Sequence, residues 1–187
     1  MMIKPDGVRR GLSGEIMRRV EQVGLKVAGL RMIRPSVKEV DDHYPKDKKW
    51  VTRLGEKTLA TYEQYGFDAM KELGTTKAEK IGPMVRKWLL NFMTSGPVVV
   101  MAVKGIHAIA MVRKLAGPTM PSDAPMGTIR GDFSVDSAAA ANRDRRAVYN
   151  IVHISETEDE AKHEIQHWFG KEPIHDYQRT DDEVFPK

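Results

Sequence analysis

Apolar residues recur at helical spacing in some stretches of the chain and alternate, or run together, in others. Leu12, Ile16, Val20 and Val23 predict a helix that Gly24 closes at its C-cap. Leu25 to Arg34 alternates as a strand does and is stopped by Pro35. Ser36 and Glu39 have capping-box spacing and open a short helix through His43 and Tyr44. Pro83 suits a first helical position, and Met84, Trp88, Leu89 and Phe92 follow on one side until Ser95-Gly96-Pro97 breaks the helix. Pro97 to Val103 is an apolar strand, and Ile106 to Leu115 a helix. At the N-terminal side, Met1 to Lys4 reads as the end of a short strand running into a Pro5-Asp6-Gly7 turn. Towards the other end, Val148 to Glu156 reads as a β-branched strand that ends on His153. A helix from about Glu158 to Phe169 follows, capped by Ser155 with Glu158 or by Thr157 with Glu160.

Other stretches carry no such pattern. Residues 45–80 are charged, loosely helical and studded with aromatics, and read as an elaboration of the domain. Residues 116–127 are a Pro/Gly-rich loop holding Thr119; a long polar loop in a compact domain is usually functional or disordered. Residues 134–147 are small, polar and basic, and Arg143-Asp144-Arg145-Arg146 reads as a solvated face rather than a phosphate site. The tail from Gly170 to Lys187 has no strong periodicity, and no internal repeat is visible. Strand-like runs separated by helices predict α/β or α+β, and periodicity alone leaves both open.

Composition narrows the chemistry more than the fold. A length of 187 residues suits one domain, and 41% hydrophobic with 30% charged residues is ordinary for a globular protein. The formal charge of +4 and a pI near 9.2 suit anionic partners without choosing among nucleotides, nucleic acid and membrane surface. The absence of cysteine excludes disulfides, thiol catalysis and cysteine metal sites. No apolar run is long enough to span a membrane and no signal-peptide core is present, so a cytoplasmic protein is expected.

Two constellations carry candidate chemistry. His153 lies between a strand end and a helix N-terminus, where backbone N–H groups collect and anions are favoured. Glu164 falls inside the apolar stripe Ala161, Ile165, Trp168 and Phe169, where a carboxylate is costly unless a donor meets it. A histidine oriented by such a carboxylate has one tautomer fixed and its other nitrogen free as a nucleophile. The plainer alternatives are a histidine that merely ends a strand and a glutamate bonded to a backbone amide. The second constellation, His163-Glu164-Ile165-Gln166-His167, matches the H-E-x-x-H pattern of zinc hydrolases. Helix phase argues against it, because both histidines fall away from the apolar stripe while Glu164 points towards it.

Ile3-Lys4-Pro5-Asp6-Gly7-Val8, Thr94-Ser95-Gly96-Pro97-Val98, Gly127-Thr128-Ile129-Arg130-Gly131-Asp132-Phe133 and Asn150-Ile151-Val152-His153 occur in the order and context of one known family. On these blocks the chain resembles the nucleoside diphosphate kinases over nearly its whole length, apart from about 45–80 and 134–148, which read as insertions in a single domain spanning 1–187. The resemblance implies a ferredoxin-like α+β core, a four-stranded antiparallel sheet with helices packed on it, here with a helical insertion. It implies hexamers or, less often, tetramers. It implies transfer of the γ-phosphate of a nucleoside triphosphate, typically ATP, to a nucleoside diphosphate through a phosphohistidine in a ping-pong cycle. Magnesium would arrive with the nucleotide, with no metal site on the protein and no requirement for nucleic acid.

Under the same resemblance, His153 matches the phosphorylated histidine, Glu164 its orienting glutamate and Ser155 the serine bonded to that glutamate. Lys4, Arg113 and Arg130 match the basic residues around the phosphates, Thr119 and Asn150 polar ligands to phosphate and ribose, and Tyr44 the tyrosine near the histidine. Val85, next to Leu89, aligns where the family has a base-stacking aromatic, and Trp50 or Tyr62 is the candidate to stand in. Ile154 stands where the family has a small residue, Glu156 replaces the usual Asp, and the first strand is short. The alternatives are a non-catalytic relative that binds nucleotide or nucleic acid, and the zinc hydrolase.

Overall fold

The four strand-like runs pair into one antiparallel sheet. In chain order the elements are β1 (Met2–Ile3), α1 (Pro5–Arg9), α2 (Ser13–Gln22), β2 (Lys26–Ile33), α3 (Val37–His43), α4 (Lys48–Gln64), α5 (Ala69–Leu73), α6 (Ala78–Met93), β3 (Val98–Lys104), α7 (Ala108–Ala116), a 3-10 turn (Pro121–Asp123), α8 (Ile129–Phe133), α9 (Ala138–Arg143), β4 (Val152–His153) and α10 (Glu158–Phe169). The structure, a computed structural model, describes residues 1–180.

The strand order is β2-β3-β1-β4, with every pairing antiparallel. That settles the choice left open by periodicity: the fold is α+β, with the strand order of a ferredoxin-like core. β1 is central despite its length. Met2 pairs with Val100 on one side and with His153 on the other, so the first residues of the chain set the register of His153.

Both sheet faces are covered, which explains why β3 reads as a continuous apolar run. Met2, Val98, Val100 and Ala102 point to one face with Val40 of α3, Phe92 and Met93 of α6, and Trp168 and Phe169 of α10. Ile3, Val99 and Met101 point to the other with Ile16 of α2, Ala116 of α7 and Ile129 of α8. The alternation is the period-two pleat of a strand buried on both sides.

Several sequence expectations shift. Pro5-Asp6-Gly7 is the first turn of α1 rather than an open turn, with Pro5 at the start, where its missing N–H costs nothing. Pro83 lies inside α6, not at its start; it and Glu79, whose carbonyl loses a partner, are both exposed to solvent. Thr157, not Ser155, caps α10, its side chain accepting from the Glu160 N–H. The patternless stretch 45–80 forms α4 and α5, capped by Asp47 and Asp68. The stretch from Thr128 to Arg143 holds α8, which carries Arg130, and α9, each with a hydroxyl N-cap, Thr128 and Ser137. The tail is not idle: His175 N–H donates to Ala28 O at 2.8 Å and Tyr177 O accepts from Lys26, while residues 181–187 lie outside the described part.

Candidate active site

The expected strand Val148–Glu156 is a strand only at Val152–His153, because the residues before it turn away. Val152 N–H donates to Asn150 O at 2.7 Å around Ile151, which has φ of 68°. This is a γ-turn with positive φ at a β-branched residue, a conformation that costs on the order of 1–3 kcal/mol. It is held from the sequence-distant N-terminal side. Asp6 Oδ2 accepts from Ile151 N–H at 3.0 Å, and Lys4 N–H donates to Ile151 O at 2.8 Å. The turn presents the Asn150 side chain sideways: its Oδ1 accepts from Lys4 Nζ at 2.7 Å and its Nδ2 donates to Thr119 O at 2.9 Å.

His153 then enters the sheet with one nitrogen committed. Its Nε2 stands 2.5 Å from Glu164 Oε1, and the other carboxylate oxygen accepts from Ser155 Oγ at 2.7 Å. Glu164 is buried, which alone would raise its pKa. The hydrogen bond and charge of His153, with His43 and Ser155, outweigh burial and hold it down at about 2. The carboxylate is therefore an anion at neutral pH and fixes the imidazole tautomer with the proton on Nε2. Nδ1 has no hydrogen-bond partner among the described residues, and the ring borders a cleft.

Behind this pair lies His43, which sequence reasoning did not single out as a site residue. Its ring meets that of His153 edge-on at 4.5 Å, and its Nδ1 accepts from Trp168 Nε1 at 3.2 Å. Burial, then the neighbouring His153, depresses its pKa to about 3, so it stays neutral beside the dyad. His43 Nε2 is buried with no hydrogen-bond partner among the described residues. No pattern in the chain marked it, since its partners come from α10 and β4, more than a hundred residues away.

The cations differ in how free they are. Lys4 is buried, and desolvation followed by the charge of Arg130 lowers its pKa to about 8. Arg130, 4% exposed, gives its donors to three backbone carbonyls: Asn150 O at 3.2 Å, Gly117 O at 2.7 Å and Val152 O at 2.8 Å. Burial and nearby Arg113 bring it down to about 10, leaving it cationic at neutral pH. It braces both walls of the site as well as charging it. Arg113 on α7 is exposed, and among the described residues its side chain makes a 3.7 Å ion pair with Glu156.

Lys4, Tyr44, Val85, Leu89, Arg113, Thr119, Arg130, Asn150 and His153 all border one cleft, while Ser155 and Glu164 stand behind the imidazole. The structure thus brings together residues scattered over the whole chain. Trp50 also borders the cleft, whereas Tyr62 is buried against Ala69, Leu73 and Ile81 and does not. Ile154 packs towards Val20, Leu25 and Val112. The basic run beyond α9 is engaged: Arg146 pairs with Asp136 at 2.6 Å and Arg143 with Glu72 at 3.9 Å.

The zinc pattern dissolves in three dimensions. His163 is exposed, and His167 is half-buried with its Nε2 2.9 Å from Glu39 O, while Glu164 points inward to His153. Among the described residues the one group of metal-ligand type is His43, His153 and Glu164, and its Glu164 is already bonded to His153. The cleft is lined by more cations (Lys4, Arg53, Lys57, Arg113, Lys114, Arg130 and Arg146) than anions (Glu156 and Glu160), which favours an anionic ligand. Among the described residues no helix is long and apolar enough to cross a membrane.

Comparison with known proteins gives the family of the chain. The family model described as nucleoside diphosphate kinase matches residues 1–54 and 75–174. The nucleoside diphosphate kinase of Pyrobaculum aerophilum is 44% identical over 174 residues, covering 93% of this chain and 95% of that one. That of Pyrococcus furiosus is 36% identical over 183 residues, covering 97% and 88%. Among solved structures, an NDP kinase from Pyrobaculum aerophilum superposes with a TM-score of 0.89 at 42% identity, covering 94% of this chain and 96% of that one. A transition-state mimic of the Borrelia burgdorferi nucleoside-diphosphate kinase, with bound vanadate and ADP, gives 0.76 at 33% identity, covering 98% and 93%. With the family model spanning most of the chain and relatives of this identity along nearly its full length, the protein belongs to the nucleoside diphosphate kinase family.

Proposed function

We propose that His153 carries the phosphoryl group in the transfer of a γ-phosphate from a nucleoside triphosphate, typically ATP, to a nucleoside diphosphate. The observation that supports this most is the division of labour on one ring. Nε2–H is held by an ionised Glu164 that is itself held by Ser155, and Nδ1 is left with its lone pair at the cleft. In the first half-reaction Nδ1 attacks the γ-phosphorus, the bond to the β,γ-bridging oxygen breaks, and the nucleoside diphosphate departs. In the second, a terminal oxygen of an incoming diphosphate attacks the same phosphorus, the P–N bond breaks, and the imidazole returns to its starting state. One site serves both halves, which is ping-pong chemistry.

The surrounding residues suit the charge that moves. Lys4, Arg113 and Arg130 supply positive charge to the phosphoryl oxygens, and Glu164 balances the cationic character of the phosphorylated ring. Asn150 and Thr119 would meet phosphate and ribose, Tyr44, Val85 and Leu89 the nucleoside end. Magnesium enters as part of the nucleotide substrate, coordinated by its phosphates and water.

In the same reading the protein works as a homo-hexamer, with a tetramer as the alternative, and in the cytoplasm, without membrane or nucleic acid. β2 is an edge strand that exposes Leu30 and Met32 by 53% and 63%, which supports self-association. Light scattering of the purified protein measures the copy number directly. For the chemistry, incubation with γ-labelled ATP should leave an acid-labile, alkali-stable label that His153→Ala abolishes and any added diphosphate discharges. Label retained in His153→Ala would place the phosphoryl group elsewhere.

A further inference from the structure

Val85 has no aromatic face to offer a base, yet the cleft holds an indole. We propose that Trp50, on α4, is the platform on which the nucleobase stacks, making α4 a base-recognition helix that favours purines. This inference rests on the nucleotide-binding reading above and specifies its base end.

Three observations carry it. Besides the ring of His153, the aromatic side chains that border the cleft among the described residues are Tyr44 and Trp50. Tyr44 is buried, whereas Trp50 is half-buried and keeps open surface. The rings form a path: Tyr44 lies 6.0 Å from His153 by centroid, and Trp50 stacks on Tyr44 at 6.3 Å with 24° between planes. The indole is thus two ring steps from the phosphate-carrying imidazole, a placement suited to a base separated from its phosphates by a ribose.

The second observation is the face on which Trp50 sits. Trp50, Arg53, Leu54 and Lys57 follow at helical spacing and all border the cleft. The side chains of Arg53 and Lys57 are exposed and have no hydrogen bond or ion pair within the described residues, so their donors are available to acceptor atoms on a base edge. A larger π-face stacks more strongly, which is why purines are favoured over pyrimidines.

Thirdly, α4 is fixed rather than loosely attached. A Cβ on Gly55 would fall 2.1 Å from Ala78 O, and a Cβ on Gly82 would fall 2.1 Å from Val51 O. The helix backbones of α4 and α6 therefore touch at two glycines, and Gly82 presses against the turn of α4 that carries Trp50. The family model leaves out residues 55–74, which include the buried residues of this helix, Gly55, Thr58 and Tyr62. Trp50, Arg53 and Leu54 fall inside the matched part, and the residues that anchor their helix fall outside it.

The test is calorimetric titration of the full-length protein with ADP, CDP and inorganic pyrophosphate, comparing Trp50→Ala and Trp50→Phe with the parent. Trp50→Ala should weaken ADP binding on the order of 10- to 100-fold, the range for losing one base–aromatic stack. It should weaken CDP less and leave pyrophosphate unchanged, and Trp50→Phe should recover most of the ADP affinity. Unchanged ADP binding in Trp50→Ala overturns the proposal, and so does an equal loss for ADP and pyrophosphate. If Trp50→Ala fails to fold, indole fluorescence decides. ADP should quench emission in Trp88→Phe and not in Trp50→Phe; the reverse pattern overturns the proposal. Labelling of His153 by ATP is measured separately in the parent protein, so failure of the stacking platform and failure of the kinase reading give different results.

Discussion

Lys4 Nζ and Asn150 Oδ1 lie 2.7 Å apart, joining the residue after β1 to the turn that precedes His153. The contact holds an ammonium group at the cleft inside the protein, where its charge is expensive, and its pKa falls from 10.5 to about 8. The proton is lost as pH rises through about 8, while an unfolded chain keeps it to 10.5. Between those values the unfolded state binds more protons, so this group's penalty on stability shrinks as pH rises. Function moves the opposite way. The KM for nucleoside diphosphate should climb from about pH 8 upward, and Lys4→Arg, whose charge persists, should flatten that climb. Initial-rate profiles of both proteins test this; parallel profiles would show that Lys4 is not the titrating group.

Glu164→Gln keeps the shape of the orienting group and removes its charge. The tautomer of His153 then loses its anionic partner. The first-order rate of His153 phosphorylation should drop by about 10- to 100-fold with little change in ADP affinity. Rapid-quench labelling gives the rate and calorimetry the affinity. A large affinity loss at an unchanged rate would argue against an orienting role. Ser155→Ala removes one neutral donor to the same carboxylate and should cost less, in proportion to a hydrogen bond of about 1 kcal/mol.

The two arginines separate charge from bracing. Arg130→Ala strips three backbone carbonyls of their donor and should destabilise the fold by about 3 kcal/mol or more, along with a loss in phosphoryl transfer on the order of 10²-fold. Arg113→Ala touches little else in the protein. It should leave the thermal midpoint nearly unchanged while raising the KM for nucleotides. Denaturation curves beside steady-state kinetics distinguish the two behaviours.

Gly55→Ala and Gly82→Ala each push a methyl into a carbonyl on the facing helix. Overpacking of this kind costs on the order of 1–3 kcal/mol. Both variants should melt earlier, and both should weaken ADP more than pyrophosphate if α4 moves away from the cleft. Thermal denaturation with ADP titration reads both effects.

His163→Ala should leave the rate of phosphoryl transfer unchanged, because His163 is exposed and has no part in the cleft. A loss of activity restored by added zinc would revive the metal-site reading of α10.

What the chain determined by itself was local: the helix over Glu158 to Phe169, the capping box at Ser36 and Glu39, the apolar run of β3, and a carboxylate at Glu164 too deep in an apolar stripe to be idle. These depend on neighbours within a few residues, where spacing and capping chemistry act directly. Tertiary contacts decided the rest. The β-branched run before His153 read as a strand because propensity cannot see Asp6, whose side chain reaches Ile151 across 145 positions and holds it in a turn. His43 carried no signal, because its neutrality follows from burial against α10 and β4. Arg130 read as a bare phosphate ligand, while its guanidinium also ties three carbonyls together. Trp50 and Tyr62 were equal candidates in the sequence, and packing decided between them, leaving Trp50 at the cleft and burying Tyr62 against Ala69, Leu73 and Ile81. Short-range order is written in adjacent residues, but which groups are desolvated, paired or aimed at a ligand depends on surfaces that exist only once distant segments have packed.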